Sequence, residues 1–151
     1  MPVELVLQAV IAADPARNWL AAEHYNIVAD DVAVGTMRLR IGDAEAVHYI
    51  GHVGYAVEAE HRGHGYAAMA LRQIVMLAER HDLRELWIMI RPDNLASQRA
   101  ASKAGAVYIE TIPVPPGTDL YARGDLEMQR YRLTGRAGKS KACGPAIRAQ
   151  G

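Results

Sequence analysis

The amino-acid sequence predicts an α/β fold: a mixed central sheet with a parallel crossover at its centre, antiparallel strands on either side and helices on both faces. Three observations carry this. From Val53 to Ile90 a short strand pattern, a glycine loop, an amphipathic helical pattern and a second apolar run follow one another, which is the order of a parallel crossover. Runs rich in β-branched residues flank that unit on both sides and are separated by short turn signals. The chain has 151 residues, half of them hydrophobic, which is enough for one real core.

Val3 to Ile11 reads as the first strand. Asp14 before Pro15 is a helix start, because an N-cap side chain precedes a proline whose missing N–H costs nothing at the first helical position. That helix is short and carries Trp19 and Leu20. Tyr25 to Ala29 and Val32 to Ile41 are strands, joined as a hairpin at Asp30-Asp31. Gly42-Asp43 breaks the run, and a strand resumes near His48 and ends near Val57. A helix from about Ala67 buries Leu71, Ile74, Val75 and Ala78 at i, i+3, i+4 and i+7 and leaves Arg72, Gln73, Glu79 and Arg80 wet. Leu86 to Ile90 is the next strand, and Pro92-Asp93-Asn94 opens a helix that ends at Lys103-Ala-Gly105. Ala106 to Ile112 is a strand. Pro113-Val-Pro-Pro-Gly117 forces a loop, since its prolines cannot donate to a ladder. Leu126 to Leu133 is the last strand. Residues 1–134 therefore form one domain. Residues 135–151 contain no acidic residue and read as a flexible basic tail.

Composition narrows the partners. Lys and Arg together number 17, as do Asp and Glu, so no global nucleic-acid footprint exists. The single cysteine, Cys143, excludes an internal disulfide. The histidines at 24, 48, 52, 61, 64 and 81 show no metal-ligand spacing. No run approaches the ~20 apolar residues of a membrane span, and the start lacks a basic segment followed by an apolar one. The expectation is a cytoplasmic protein without metal, nucleic-acid or membrane partners.

The chemistry concentrates in Arg62-Gly-His-Gly-Tyr-Ala67. Gly63 and Gly65 remove the Cβ atoms that keep a ligand from the backbone, and the following helix aims its positive end at the same point. Arg62 or His64 adds charge-assisted contacts to a phosphate. Gly63-x-Gly65-x-x-Ala68 also fits a dinucleotide fingerprint. That alternative requires the strand to run straight into the first glycine and an acidic residue to close the next strand. Here Glu58-Ala59-Glu60-His61 intervenes, and the next strand closes on Arg91. A phosphorylated cofactor of another kind is the leading reading.

Arg62-x-x-Gly65-x-Ala67, preceded by Gly54-Tyr-Ala-Val57 and followed by Leu86 to Ile90 and Pro92-Asp-Asn94-Leu-Ala-Ser97 to Lys103-Ala-Gly105, resembles the GNAT superfamily of acyl-CoA-dependent N-acyltransferases. Within it the last segment is closest to the Rim-type protein acetyltransferases. The resemblance is specific over roughly residues 48–110. It implies acetyl-CoA as co-substrate and a primary amine, on a small molecule or on a peptide or protein, as acceptor. It also leaves room for a homodimer. By the same resemblance, Arg62, Gly63, His64, Gly65, Tyr66 and Ala67 hold the CoA pyrophosphate. Main-chain groups from Tyr55 to Val57 pair with the pantetheine amides, Asn94 contacts the arm, and Ser97 lies nearby. A main-chain N–H near Val57 serves the oxyanion.

The proton carriers depart from the family. Many members place a Tyr two residues before the helix-ending Lys; this chain has Ala101. Many carry Glu or His on the fourth strand; the corresponding positions here are Gly51 and Val53. The replacements the sequence offers are His52, Tyr55, Glu58 and Tyr121. Glu23, Glu45, Glu58 and Asp119 are available to attract a cationic amine, or serve as solubility charges. A catalytically silent acyl-CoA-binding module is the competing reading.

Overall fold

The structure, a computed structural model, describes residues 2–17, 19–43 and 45–135. Seven strands form one sheet: β1 (Glu4–Ile11), β2 (Ala21–Ala29), β3 (Val32–Ile41), β4 (Val53–Val57), β5 (Glu85–Ile90), β6 (Val107–Pro113) and β7 (Glu127–Thr134). Their order is β1-β2-β3-β4-β5-β7-β6. Every neighbouring pair is antiparallel except β4 and β5, which are parallel. Helix α1 (Tyr66–Ala78) makes the crossover between them, α2 (Leu95–Lys103) joins β5 to β6, and the short α3 (Asp119–Ala122) sits between β6 and β7. This is the mixed α/β arrangement the sequence predicts, with the parallel crossover at its centre, but the helices do not cover both faces as expected: α1 and α2 pack against each other on one face. With a single parallel pair, the sheet has no further βα units for a dinucleotide domain. No helix among the described residues is long and apolar enough to cross a membrane.

One core joins the sheet to both longer helices. Tyr25, Ile27, Met37, Leu39, Val53, Leu86, Ile88, Tyr131 and Leu133 of the sheet meet Leu71, Ile74, Val75 and Ala78 of α1 and Ala101 of α2. The α1 residues are those the helical spacing singles out. Arg72 on α1 donates from Nη2 to the Lys103 carbonyl at 2.8 Å, tying the two helices together. The β2–β3 hairpin turns at Asp30 and Asp31, with φ of 50° and 63°. Both central residues sit in the left-handed region that a two-residue primed turn needs, and Asp tolerates it.

Three further, local expectations are corrected. The helix starting at Asp14 is only a 3₁₀ turn, Pro15–Arg17. The Asp14 and Trp19 main chains bond each other at 2.9 and 3.0 Å and close the loop before a helix can propagate. Strand β2 begins at Ala21, earlier than Tyr25, because Ala22 and Glu23 already pair with both neighbours. No strand resumes near His48: residues 45–50 are turns, with the Ala46 N–H held by Asp43 Oδ1 at 2.8 Å. The tail from residue 136 onward lies outside the described residues.

The seam between β4 and β5 is the decisive feature. The two strands pair in register only at Val53 and Ile88. Just before that point His52, 2% exposed, stitches them together. Its N–H donates to the Trp87 carbonyl at 2.7 Å, and its Nδ1 accepts the Trp87 N–H at 3.0 Å. Its Nε2 lies 2.8 Å from the Gly42 carbonyl. Since the Trp87 group is a donor and the Gly42 group an acceptor, the ring is neutral with its proton on Nε2. Gly51 is pressed against the same strand: at φ +75°, a Cβ there would stand 2.8 Å from the Trp87 carbonyl oxygen. Beyond Val53 the strands part.

Burial holds the His52 pKa below the ordinary histidine value, against weaker upward pulls from the Gly42 carbonyl, Glu85 and Asp43. The unfolded chain therefore binds this proton more readily than the folded one. The stabilisation is complete above the unfolded pKa of about 6.5 and is lost as pH falls below it. His52→Asn is expected to cost about 2 kcal/mol at pH 8, through the Trp87 and Gly42 groups left without partners. Denaturant unfolding from pH 8 to pH 5 should show the gap between parent and variant narrowing. A gap independent of pH would contradict the neutral stitching role.

Candidate active site

The parting of β4 and β5 leaves a gap at their carboxyl ends. Main-chain groups alternate along a strand, and the Glu58 N–H faces β3, donating to the Val34 carbonyl at 2.9 Å. Those of Tyr55 and Val57 therefore face the gap. The chain then turns through a 3₁₀ stretch, Ala59–His61, into Arg62 to Gly65. Arg62 Nε donates back to the Val57 carbonyl at 3.0 Å, which folds the loop against the end of β4.

This loop has the form of an anion cradle. Gly63 and Gly65 have φ of 89° and 77°. A Cβ at Gly63 would meet nothing within 4 Å, so the space beside the loop is open. The N–H groups of Gly63, His64 and Gly65 donate to no acceptor among the described residues. Gly65 is the N-cap of α1, whose first-turn N–H groups have no helical acceptor. Side chains add to this field. Lys103 Nζ lies 3.4 Å from where a Gly65 Cβ would stand and forms no ion pair among the described residues. In the sequence Lys103 reads only as part of the end of α2. Its place beside the loop depends on the α1–α2 contact, which no local signal announces. Arg62 and His64 are exposed on the loop, and the His64 ring is tilted against Tyr66 with centroids 5.3 Å apart.

On the helix side of the gap, Tyr55 reaches across from β4 to α2. Its hydroxyl lies 2.7 Å from Ser97 Oγ and 3.3 Å from the Ser97 carbonyl. Burial raises the Tyr55 pKa above its ordinary value, and the bond to Ser97 pulls weakly the other way. Asn94 caps α2, its Oδ1 accepting the Ser97 N–H at 3.1 Å. The capping bond also fixes Ser97 opposite Tyr55.

The remaining sequence candidates lie apart from this pair. His52 is at the closed end of the seam with both ring nitrogens engaged, so no lone pair is left to take a proton. Glu58 is exposed beyond the end of β4. It approaches Glu60 and His61, with ligand atoms within 4.8 Å of one another, an ordinary grouping for exposed acidic residues. Tyr121 is exposed on α3, in the loop that register places beside Ile90, at the open end of the gap. Ala101, where the family Tyr is absent, is fully buried in the core. A hollow of about 570 Å³ lined by Asp43, Glu79, Asp82 and Glu85 lies at the opposite end of β5, remote from the glycine loop.

A parallel pair that opens beside a helix N-terminus, with strand main-chain groups facing the opening, has the geometry to hold an extended ligand with an anionic end. The chain belongs to the acetyltransferase (GNAT) domain family, whose profile matches residues 5–107. No curated protein sequence matches it. Its fold is similar to that of RimL, a ribosomal L7/L12 alpha-N-protein acetyltransferase solved in complex with coenzyme A. The TM-score is 0.59 at 20% identity, over 80% of this chain and 64% of that one. It is also similar to AAC(6')-Ib in complex with ribostamycin and coenzyme A, with a TM-score of 0.61 at 16% identity over 82% and 70% of the two chains. The microcin C7 self-immunity acetyltransferase MccE, in complex with acetyl-CoA and AMP, gives 0.57 at 16% identity over 75% and 61%. The chain spans less than two thirds of RimL and of MccE. At these identities the likeness is one of fold.

Gly65→Asp sets a carboxylate into the cradle at a backbone angle that Asp tolerates. Calorimetry with acetyl-CoA is expected to show no binding by the folded variant, and Lys103→Ala about a tenfold weaker binding. Affinity unchanged in both would remove the loop from the site.

Proposed function

We propose that the protein transfers an acetyl group from acetyl-CoA directly to a primary amine within a ternary complex. The observation that carries this is the gap between β4 and β5, opening beside the free N–H groups of Gly63, His64 and Gly65. The N–H groups from Gly63 to Ala67, with Lys103 and Arg62, hold the pyrophosphate. The Tyr55 main chain and the Val57 carbonyl pair with the pantetheine amides and lead the thioester into the gap. Family membership supports the choice of donor.

In the transfer the amine nitrogen bonds to the thioester carbonyl carbon. Oxyanion charge falls on the Val57 N–H. The carbon–sulfur bond then breaks, and the amine proton leaves to solvent at the open end of the gap. Tyr55 supplies the proton that the departing thiolate takes up. Its raised pKa keeps the hydroxyl protonated at neutral pH, and Ser97 orients it and returns a proton from solvent. Tyr55 thus stands in for the Tyr that Ala101 replaces. Asn94 acts by holding Ser97. Glu58 and Tyr121 border the acceptor side and carry no proton in this scheme. His52 sets the width of the gap and does not act as base.

The setting we infer is the cytoplasm, since a chain with one cysteine forms no internal disulfide. A homodimer is part of the proposal, supported by the exposed edge strand β6 with Val107, Tyr108 and Ile109. The second reading, a silent acyl-CoA-binding module, draws on Ala101, where no titratable side chain stands. Thiol release against an amine panel separates the two.

Tyr55→Phe is expected to lower kcat about a hundredfold, with the acetyl-CoA KM within about threefold of the parent. Steady-state kinetics at pH 7 test this. An unchanged kcat would reduce Tyr55 to a packing residue.

A further inference from the structure

The face of the sheet away from α1 and α2 carries chemistry that the transfer step does not use. What it says about the acceptor rests on the transferase reading above. Cross-strand pairing sets two rows on this face: His24, Arg38 and Gly54, then Asn26, Thr36 and Ala56. Residues in register share a face, and these alternate with Tyr25, Met37 and Tyr55, which point into the core. With Gln8 the two rows line a hollow of about 540 Å³. Gly54 has no side chain, and a Cβ there would meet nothing within 4 Å. Ala56 adds one methyl. The hollow therefore runs unobstructed from Arg38 to the edge of β4, one strand spacing of about 4.8 Å away, where the gap opens.

The charge in this hollow is positive. Arg38 Nε donates to His24 Nε2 at 3.2 Å, so that nitrogen is an acceptor and the ring is neutral. Burial, then Arg38 and Arg40, hold its pKa below the ordinary value. The rest of the exposed Arg38 guanidinium has no hydrogen bond or ion pair among the described residues. Arg40 follows on the same face and donates to the Ile50 and Gly51 carbonyls. No carboxylate lines the hollow. Glu23, which the sequence offers as an attractor of cations, is on the other face, 8% exposed, and takes the Tyr25 hydroxyl at 2.6 Å and His81 at 3.2 Å. Glu110 is paired with Arg130.

The geometry points to an acceptor that carries a carboxylate near its amine, the carboxylate held by Arg38 and the amine directed over Gly54 into the gap. A guanidinium fork fits a carboxylate in two parallel bonds. Arg38 and Arg40 repel polyamines and aminoglycosides. A free amino acid and the acidic N-terminal segment of a peptide both offer this chemistry.

The test uses the whole protein saturated with CoA. Calorimetry follows the binding of free glutamate, an alanyl-aspartyl-glutamyl peptide amide and an alanyl-lysyl-lysyl peptide amide. Thiol release with acetyl-CoA follows their turnover. A carboxylate probe is expected to bind and to be acetylated with kcat/KM about tenfold or more above that of the lysyl peptide. Whichever of glutamate and the acidic peptide wins names the source. Arg38→Glu should reverse the order, and Arg38→Lys should keep part of it, both with acetyl-CoA affinity within about twofold of the parent. A parent that prefers the lysyl peptide, fails to bind either carboxylate probe, or keeps its preference in Arg38→Glu overturns the inference. Binding of a carboxylate probe without turnover supports the Arg38 site and contradicts the transferase reading instead.

Discussion

Everything in this molecule that bears on ligands follows from two parallel strands that pair once and then separate. Val53 and Ile88 are the single in-register contact between β4 and β5. His52 holds the two strands together at this end, because its main chain and ring both bind Trp87, and Gly51 lets the preceding turn press against β5. The gap is therefore built into the sheet. It leaves main-chain donors and acceptors of Tyr55 and Val57 without strand partners, a state that a partly buried backbone keeps only where water or a ligand satisfies it.

The gap also divides the labour between the two faces. On the helix-covered face stand the groups suited to a phosphorylated, amide-bearing donor: the glycine loop, the α1 N-terminus, Lys103, and the Tyr55–Ser97 hydroxyl pair. On the open face stand Arg38 and His24, with only Gly54 and Ala56 between them and the opening. The same alternation that buries Tyr25, Met37 and Tyr55 exposes His24, Arg38 and Gly54. Substitutions on one face should accordingly leave the ligand of the other largely untouched, since the two sets share a backbone but no side-chain contact.

Much of the fold is legible in the sequence because local signals agree with it. The α1 stripe, the Asp30-Asp31 turn and the glycine loop each follow from short-range chemistry, and the structure shows them where that chemistry puts them. The failures are tertiary. The Asp14-Pro15 start is sound as a helix signal, yet the pairing of Asp14 with Trp19 halts it. The sequence pattern puts a strand near His48, but the turns of residues 45–50 intervene because the chain must cross to bring Gly51 and His52 against Trp87. Lys103 and Arg38 stand out as candidate site residues only in the structure, because what singles them out is the element that lies beside each. The empty family positions have a physical account too. A Glu at position 51 would clash with the Trp87 carbonyl, and Ala101 fills core space next to α1.

The β4–β5 gap and the Gly63–Gly65 loop are proposed to form one continuous binding path. A crystal structure of the protein soaked with CoA tests it directly. The expected result is the pyrophosphate within hydrogen-bond distance of the N–H groups from Gly63 to Ala67, with Lys103 beside it. The pantetheine arm should run along Tyr55 and Val57, with the sulfur near the Tyr55 hydroxyl. CoA bound elsewhere, or β4 and β5 zipped shut beyond Val53 with the loop free, would contradict it.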